Sequence, residues 1–297
     1  MDLTAAFPSF IVTLREGFEA ALVVGIVMAA LAKAQQTKLY VWVYGGIVVG
    51  IVGSLLVGVL LATMVSHLTS TDSIYAPLLK QLLATGFGLI AIAMLSWMLL
   101  WMNAQAKSLK GEIESSITTA LAGTGAGKAV FFLVAIAVLR EGFETVLFIL
   151  AKFQQAWKLP TVGAFAGLTL AVVLGWLLFA VGVKLDLRLF FQVMTTLLLL
   201  IVGGLVLSCL FHLDRSVFLW SELSGHNWCL GAAGSCLLGQ QVWDGSQILS
   251  DRAFPGILLK ALFGYRQTLY LAQVLAYGGF LALLITLLRQ DPTKIKS

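Results

Sequence analysis

Long apolar runs separated by short polar breaks make up most of this chain. A helix needs about 20 consecutive apolar residues to cross a bilayer, because it rises 1.5 Å per residue through about 30 Å of hydrocarbon. Seven runs meet this length, and we predict spans at 8–32, 39–65, 78–102, 129–151, 161–184, 189–212 and 267–288. The pattern therefore predicts an all-α, polytopic membrane protein with seven transmembrane helices.

The segment 213–266 is too polar for another span. Within it, AFPGILLKALFGY at 253–265 is expected to form a short interfacial helix. Cys229 and Cys236 also lie here, and a disulfide between them is plausible if this segment faces an oxidising compartment. Cys209 lies within the sixth predicted span, and we expect it to pack as a small apolar residue.

Composition supports a membrane location. The 297 residues are 60% hydrophobic and only 11% charged, with a mean hydropathy of +0.97. A soluble protein of this size needs more charge on its surface than this chain carries. The net charge of +5 is scattered between apolar segments, which argues against a nucleic-acid partner and leaves the lipid bilayer as the surroundings.

Basic residues in the short loops predict an orientation, because such loops tend to remain in the cytoplasm. With the N-terminus outside, the inner segments hold Lys33, Lys38, Lys107, Lys110, Lys128, Lys184, Arg188, Arg289, Lys294 and Lys296. The short outer segments hold Lys80, Lys152 and Lys158. We predict an outer N-terminus and a cytoplasmic C-terminus in the cytoplasmic membrane, with the first span acting as an uncleaved insertion signal.

The chain repeats a charged motif within apolar helices. REGFEA at 15–20 returns as REGFET at 140–145, and each copy opens a group of three spans whose second member is rich in glycine. Because three is odd, the second group would enter the membrane from the opposite face, as in the inverted repeats of many transporters. The predicted single membrane domain, 1–297, thus contains repeat 1 (8–102), repeat 2 (129–212), an outer segment (213–266) and a peripheral seventh span (267–288).

The three charged residues of a motif share one side of their helix. Because each residue advances by about 100°, Glu16 lies about 100° and Glu19 about 40° from Arg15. The second motif repeats this geometry with Arg140, Glu141 and Glu144. Both motifs lie near the middle of their spans, where each charge costs at least about 2.5–3.5 kcal/mol.

We expect the two motif helices to cross at this depth, with Gly17 and Gly142 permitting a close approach. Four carboxylates and two guanidinium groups would then leave two negative charges to be neutralised by protons or by a cation. Burial favours the protonated acid, so we expect cation entry to release protons. The alternative is a pair of ion pairs that staple the helices, but it leaves the second glutamate of each motif unexplained.

The ligand chemistry limits the choice of cation. Carboxylate oxygens are hard ligands that suit Mg, Ca, Mn and ferric iron, and no His or Cys belongs to either motif, which argues against Zn or Cu(I). Met94, Met98 and Met102 lie one turn apart on the third span and offer thioethers, although packing is the commoner role for such residues.

The doubled motif resembles a known family. Arg15-Glu16-x-x-Glu19 and Arg140-Glu141-x-x-Glu144 are similar to the paired R-E-x-x-E signatures of the oxidase-dependent iron transporters, the Ftr-type high-affinity iron permeases. LSWMLLWM at 95–102 also resembles the third span of that family, and the resemblance covers nearly the whole chain. It implies iron import across the cytoplasmic membrane, with Glu16, Glu19, Glu141 and Glu144 as metal ligands and Arg15 and Arg140 as their motif partners.

The same resemblance implies what accompanies the transporter. The substrate would be ferric or ferrous iron, without an organic cofactor, and the partner a separate ferroxidase or periplasmic iron-handling protein. Acidic residues of the outer segment do not match the acidic motif of fungal relatives, so we expect them to be solvated: Glu222, Asp244 and Asp251.

Other functions remain open at this point. The cation could be another hard or heavy one, such as Mn or Pb, carried by alternating access in the same way. An intramembrane enzyme is disfavoured by the symmetric motif and by the absence of H-E-x-x-H. A non-transporting scaffold would tolerate replacement of the glutamates.

Overall fold

The structure is a computed structural model that describes residues 3–69, 74–105, 125–152, 158–182, 186–226, 229, 235–245 and 256–289. Within these ranges the helices are α1 (Leu3–Lys33), α2 (Tyr40–Thr69), α3 (Ala76–Gln105), α4 (Ala126–Lys152), α5 (Lys158–Trp176), α6 (Leu187–Ser224), α7 (Gly256–Phe263) and α8 (Leu271–Arg289). A 3-10 turn at Thr37–Leu39 precedes α2, and a π-helical turn at Leu177–Val181 follows α5. Asp251 and the loop residues Lys107, Lys110, Lys184, Lys294 and Lys296 lie outside the described residues.

The outer segment contains a feature that the sequence analysis did not predict. Strands β1 (Gln241–Asp244) and β2 (Thr268–Tyr270) form an antiparallel pair. The predicted helix in this segment is confirmed as α7, which packs against α6 and α1. Among the described residues, the all-α prediction therefore fails at this short two-stranded sheet, whose strands are separated in the sequence by α7.

Five described helices are long and apolar enough to cross a membrane: Thr37–Leu68, Ala76–Leu100, Leu159–Val181, Leu189–Ser224 and Leu271–Arg289. The two motif helices are also long, 31 residues for α1 and 27 for α4, but each carries three charged residues near its middle. The chain is thus a mostly helical, multi-pass membrane protein.

Helix α6 is longer than predicted. Its N-terminus is capped by Asp186, whose Oδ1 accepts a hydrogen bond from the backbone N–H of Leu189 at 3.2 Å. Its C-terminus reaches Ser224, where Gly225 ends it with a left-handed φ of 67°. The prediction that the helix ends at 212 was wrong, because a helix that leaves the hydrocarbon keeps its internal hydrogen bonds without needing an apolar sequence.

Helices α1 and α5 run parallel in close contact. A Cβ added at Gly17 would lie 2.9 Å from Cβ of Ala171, and one added at Gly175 would lie 2.8 Å from Cβ of Ala21. Because residue numbers increase in the same direction along both helices at this contact, the two helices are parallel. Small residues at these points let the two backbones approach closely.

Helices α2 and α4 repeat this arrangement. A Cβ added at Gly46 would lie 2.8 Å from the carbonyl O of Phe131, and one added at Gly50 would lie 2.7 Å from Val138. At Gly58 the added atom would lie 3.2 Å from Val146. These positions also rise together, so α2 and α4 are parallel as well.

The two contacts match residue by residue. The first helices are related by a shift of 125 positions (Arg15 to Arg140) and the second helices by 117 (Gly46 to Gly163). Under these shifts three contacts coincide: Gly46–Phe131 with Gly163–Ala6, Gly50–Ala135 with Gly167–Phe10, and Gly58–Val146 with Gly175–Ala21. Each motif helix therefore packs on the second helix of the other group.

Helices α3 and α6 run in opposite directions. Cys209 donates its S–H to the carbonyl oxygen of Thr85 at 3.5 Å, and Nδ1 of His212 lies 2.6 Å from Oε1 of Gln81. Earlier on α6, Leu205 is buried with Ala91. The main core lies where α3 and α6 meet α1, around Phe18, Leu99 and Leu198 among others. Helix α8 packs on α6 and α3 and adds Leu284 to this core.

The outer segment is tied to the end of α6. Cys229 and Cys236 form a disulfide, and the N–H of Leu237 donates to Oδ1 of Asp214 at 2.6 Å. Cys209 is unpaired and buried within α6. The pairing considered in the sequence analysis is therefore present in the structure.

Thiol alkylation tests this pairing. In denatured but unreduced protein we expect one of the three cysteines, Cys209, to be alkylated, since the other two are in the disulfide. After reduction all three should react, which intact-mass measurement resolves. A Cys209→Ala variant serves as control, and alkylation of three thiols without reduction would contradict the disulfide.

Candidate metal site

The first motif is sealed inside the protein. The Arg15 side chain is 1% exposed, and its Nη1 donates to Oε1 of Glu16 at 2.8 Å. Its Nη2 lies 3.0 Å from Oε1 of Glu19, and Nη1 also donates to Sδ of Met98 on α3 at 3.0 Å. Arg15 is thus fixed by groups on its own helix and on α3.

The second motif is more open. Nε of Arg140 donates to Oε1 of Glu144, one helical turn later, at 3.2 Å. The Arg140 side chain is 49% exposed, whereas that of Glu144 is only 9% exposed. The two arginines therefore occupy different environments, although their motifs are identical in sequence.

Three motif glutamates converge from the two helices. Glu16 on α1 and Glu141 and Glu144 on α4 are buried, and each offers a carboxylate oxygen that lies within 4.8 Å of the other two. In each of them Oε2 has no hydrogen-bond partner among the described residues. Buried polar atoms are normally satisfied, so three neighbouring buried carboxylates, each with an unpaired oxygen, suit a cation.

Glu19 does not belong to this group. Its side chain is on the same helix as Glu16 but is paired with Arg15, and it is 14% exposed. The structure thus brings together three of the four predicted ligands and places the fourth beside the buried guanidinium. The sequence could not separate these roles, because both motifs present their glutamates in the same helical positions.

The glycines of the two motifs, Gly17 and Gly142, contact other helices than predicted. A Cβ at Gly17 would meet Ala171 and Leu168 on α5, and one at Gly142 would meet the Ser54 side chain on α2. The expectation that Gly17 and Gly142 face each other at the crossing of α1 and α4 was wrong. Each instead contacts the second helix of the other group.

The cluster has the chemistry of a hard-cation site. Its available donors are carboxylate oxygens, with no His or Cys in the described group. Stapling by ion pairs leaves this group incompletely neutralised, because the two motifs supply four carboxylates but two guanidinium groups, and Arg15 already pairs with Glu16 and Glu19. A cation held by Glu16, Glu141 and Glu144 would neutralise the remaining charge.

Met98 is the residue near the site whose role the sequence did not reveal. It is 2% exposed and accepts a hydrogen bond from Arg15, so its sulfur helps to orient the guanidinium rather than simply packing. The sequence feature that pointed to Met98 was its spacing of one helical turn from Met94. The side chain of Met102 lies outside the described residues.

Comparisons with known proteins show the family of this chain. The family model "Iron permease FTR1 family" matches residues 6–289. The chain is 51% identical over 286 residues to an uncharacterized protein of Synechocystis sp. strain PCC 6803, covering 96% of this chain and 93% of that protein. It is 30% identical over 286 residues to the "Ferrous iron permease EfeU" of Escherichia coli O157:H7, covering 93% and 92%.

Another relative is the protein of Escherichia coli strain K12 named "Putative inactive ferrous iron permease EfeU", 30% identical over 283 residues and covering 93% of this chain and 92% of its own. No solved structure matches this chain. The family model covers almost the whole length, from the start of α1 to the end of α8. This chain belongs to the iron permease FTR1 family.

Proposed function

We propose that the chain imports iron across the cytoplasmic membrane and that the two R-E-x-x-E motifs hold the ion during passage. The observation that carries this proposal is the convergence of Glu16, Glu141 and Glu144 within 4.8 Å. Their helices belong to different halves of the chain, so relative motion of the halves would assemble or open the site. Glu19 completes the proposed set as the carboxylate that Arg15 holds in place.

Alternating access between two inverted repeats is the proposed mechanism. In this proposal α1 and α4 also cross the membrane, giving seven spans, and 8–102 and 129–212 are the repeats. The exchanged contacts of α1 with α5 and of α4 with α2 support it, as does the antiparallel pairing of α3 with α6. A two-fold axis in the membrane plane would produce this pattern.

The proposed orientation has the N-terminus outside and the C-terminus in the cytoplasm. The Cys229–Cys236 disulfide supports it, because such bonds persist in oxidising compartments and the outer segment is where this orientation places them. The segment 213–266 would then be reached by a separate ferroxidase or iron-handling protein. In this proposal 1–297 is a single membrane domain, of which 213–266 lies outside the hydrocarbon.

Ferrous iron is the first ion to test, because the Escherichia coli relatives are named ferrous iron permeases. Carboxylate oxygens also accept Mn, which keeps a carrier of Mn or Pb as the alternative. No organic cofactor is needed for this function.

Radioactive iron uptake tests the proposal. In cells that lack other iron importers, Glu16→Gln, Glu141→Gln and Glu144→Gln should each lower uptake by at least about 100-fold, the upper range for losing even a group that supports a metal ligand. The amide keeps the size of the side chain but removes the charge. Glu19→Gln should cost less, about tenfold, because Glu19 lies outside the group of three.

Glu222→Gln is the matched control. Glu222 is exposed near the end of α6, far along the chain from both motifs. Iron uptake by the Glu222→Gln variant should therefore equal that of the unaltered protein. Equal membrane levels of all variants are checked by immunoblotting. Unaltered uptake in all four motif variants would leave helix stapling as the role of the motif glutamates. Preferential competition of Mn or Pb with iron for uptake would favour the alternative substrate.

A further inference from the structure

A cavity of about 590 Å³ lies beside the carboxylate cluster, between α3 and α4. Its walls are formed by Ala93, Met94, Trp97, Met98, Arg140 and Glu144. Glu144 belongs to both the cavity and the cluster, so the cavity reaches one of the three converging carboxylates directly. Arg15 and Glu16, at 1% exposure, are closed off on the other side.

The exposure of Arg140 indicates what fills this cavity. Its guanidinium is half exposed near the middle of a 27-residue helix packed among apolar spans. A charged side chain at that depth is found facing the interior of a bundle or a water-filled space, since contact with lipid is too costly. The cavity in front of Arg140 is large enough for many water molecules.

The two arginines make the site directional. Arg15 is held by Glu16, Glu19 and Met98 and is 1% exposed. Arg140 borders the cavity, so a cation that takes Glu144 as ligand can displace its guanidinium into open space. The identical motifs therefore supply one sealed side and one accessible side.

We propose that this cavity is a water-filled vestibule and that the transported cation reaches the cluster through it, with Glu144 as the first carboxylate it meets. The proposal deepens the iron-permease function proposed above and rests on it for the identity of the ion. It assigns Ala93 and Met94 to the wall of the route, and Arg140 to its inner end.

Cysteine accessibility tests the vestibule without any iron. In a Cys209→Ala background with the disulfide intact, Ala93→Cys should react with a charged, membrane-impermeant methanethiosulfonate from one side of the membrane. Two controls lie on the same helix: Ala84→Cys at a position 2% exposed, and Leu89→Cys at an apolar position 57% exposed. Ala93→Cys should react at least about tenfold faster than both controls, which corresponds to a difference of about 1.4 kcal/mol in the free energy of activation.

The reagent is applied to intact cells and to inside-out vesicles, and a membrane-permeant maleimide confirms that each cysteine is present and reactive. Reaction of Ala93→Cys with the permeant reagent alone, like Leu89→Cys, would place this face against lipid and overturn the proposal. Reaction no faster than at Ala84→Cys would do the same.

Iron uptake then tests the route. Full modification of Ala93→Cys should lower uptake at least about tenfold relative to the same variant before modification, a change of about 1.4 kcal/mol. Labelling without loss of uptake would overturn the route. Failure of the iron function itself appears separately, as missing uptake in the unlabelled Cys209→Ala chain, while the labelling rates still decide whether water reaches the cavity.

Discussion

Arg15→Ala is expected to lower the free energy of unfolding by about 3–5 kcal/mol, the usual cost of removing one partner of a buried charge pair. Arg15 is 1% exposed and pairs with Glu16 and Glu19. Without it, both carboxylates lose their positive partner in a region where water does not compensate. Thermal unfolding of the purified protein in detergent, followed by intrinsic tryptophan fluorescence, measures the effect.

Arg140→Ala is the matched comparison, because it changes the same position of the same motif. Arg140 is 49% exposed and pairs with Glu144 at 3.2 Å, so water can partly replace its guanidinium. We expect a clearly smaller loss of stability than for Arg15→Ala. The loss of stability in Arg15→Lys should lie between those of Arg15→Ala and Arg140→Ala. Lysine keeps the charge but lacks the planar guanidinium that reaches Glu16 and Glu19 together. Equal destabilisation by both alanine variants would refute the difference between the sites.

Gly50→Val and Gly167→Val are expected to destabilise the protein by similar amounts, about 3 kcal/mol or more, at the upper end of overpacking costs. At Gly50 an added Cβ lies 2.7 Å from Val138 and 3.0 Å from the carbonyl O of Ala135. At Gly167 it meets Thr13 and the carbonyl O of Phe10, and lies 2.9 Å from the backbone N of Leu14. Neither backbone can yield without separating the helices.

Gly86→Val is the control for this pair, because nothing lies within 4 Å of a Cβ added there. It should leave the unfolding temperature nearly unchanged, as valine differs from glycine only modestly in helix propensity. Size-exclusion chromatography in detergent, recorded after heating to a series of temperatures, ranks the three variants. A large loss at one of the two equivalent glycines with none at the other would argue against a shared two-fold packing plan.

The helices and their approximate limits follow from the sequence, because spanning a bilayer requires a length and an apolarity that can be counted residue by residue. Where the chain leaves the hydrocarbon, that requirement ends. The extension of α6 to Ser224 and the pairing of strand Gln241–Asp244 with strand Thr268–Tyr270 were therefore missed. Their stability comes from capping by Gly225, strand pairing and the contact of Leu237 with Asp214.

The candidate ligands also follow from the sequence, since three charged residues repeated within apolar segments are too costly to be incidental. Sequence periodicity places Glu16 and Glu19 on one side of α1, but it cannot say which of them faces α4. It likewise predicted a crossing at Gly17 and Gly142, whereas these glycines contact α5 and α2. Which faces meet depends on the packing of several helices at once.

The sequence by itself determined a polytopic helical protein with two R-E-x-x-E motifs inside apolar helices, because hydropathy and charge are local properties of a segment. Only the tertiary structure decided that Glu16, Glu141 and Glu144 come together while Glu19 remains with Arg15. It also decided that Arg15 is sealed and Arg140 borders a cavity. Two identical motifs acquire different surroundings because the Arg15 guanidinium is buried against Met98, whereas the Arg140 guanidinium borders the cavity. This difference is set by how the helices pack and not by the motif sequence.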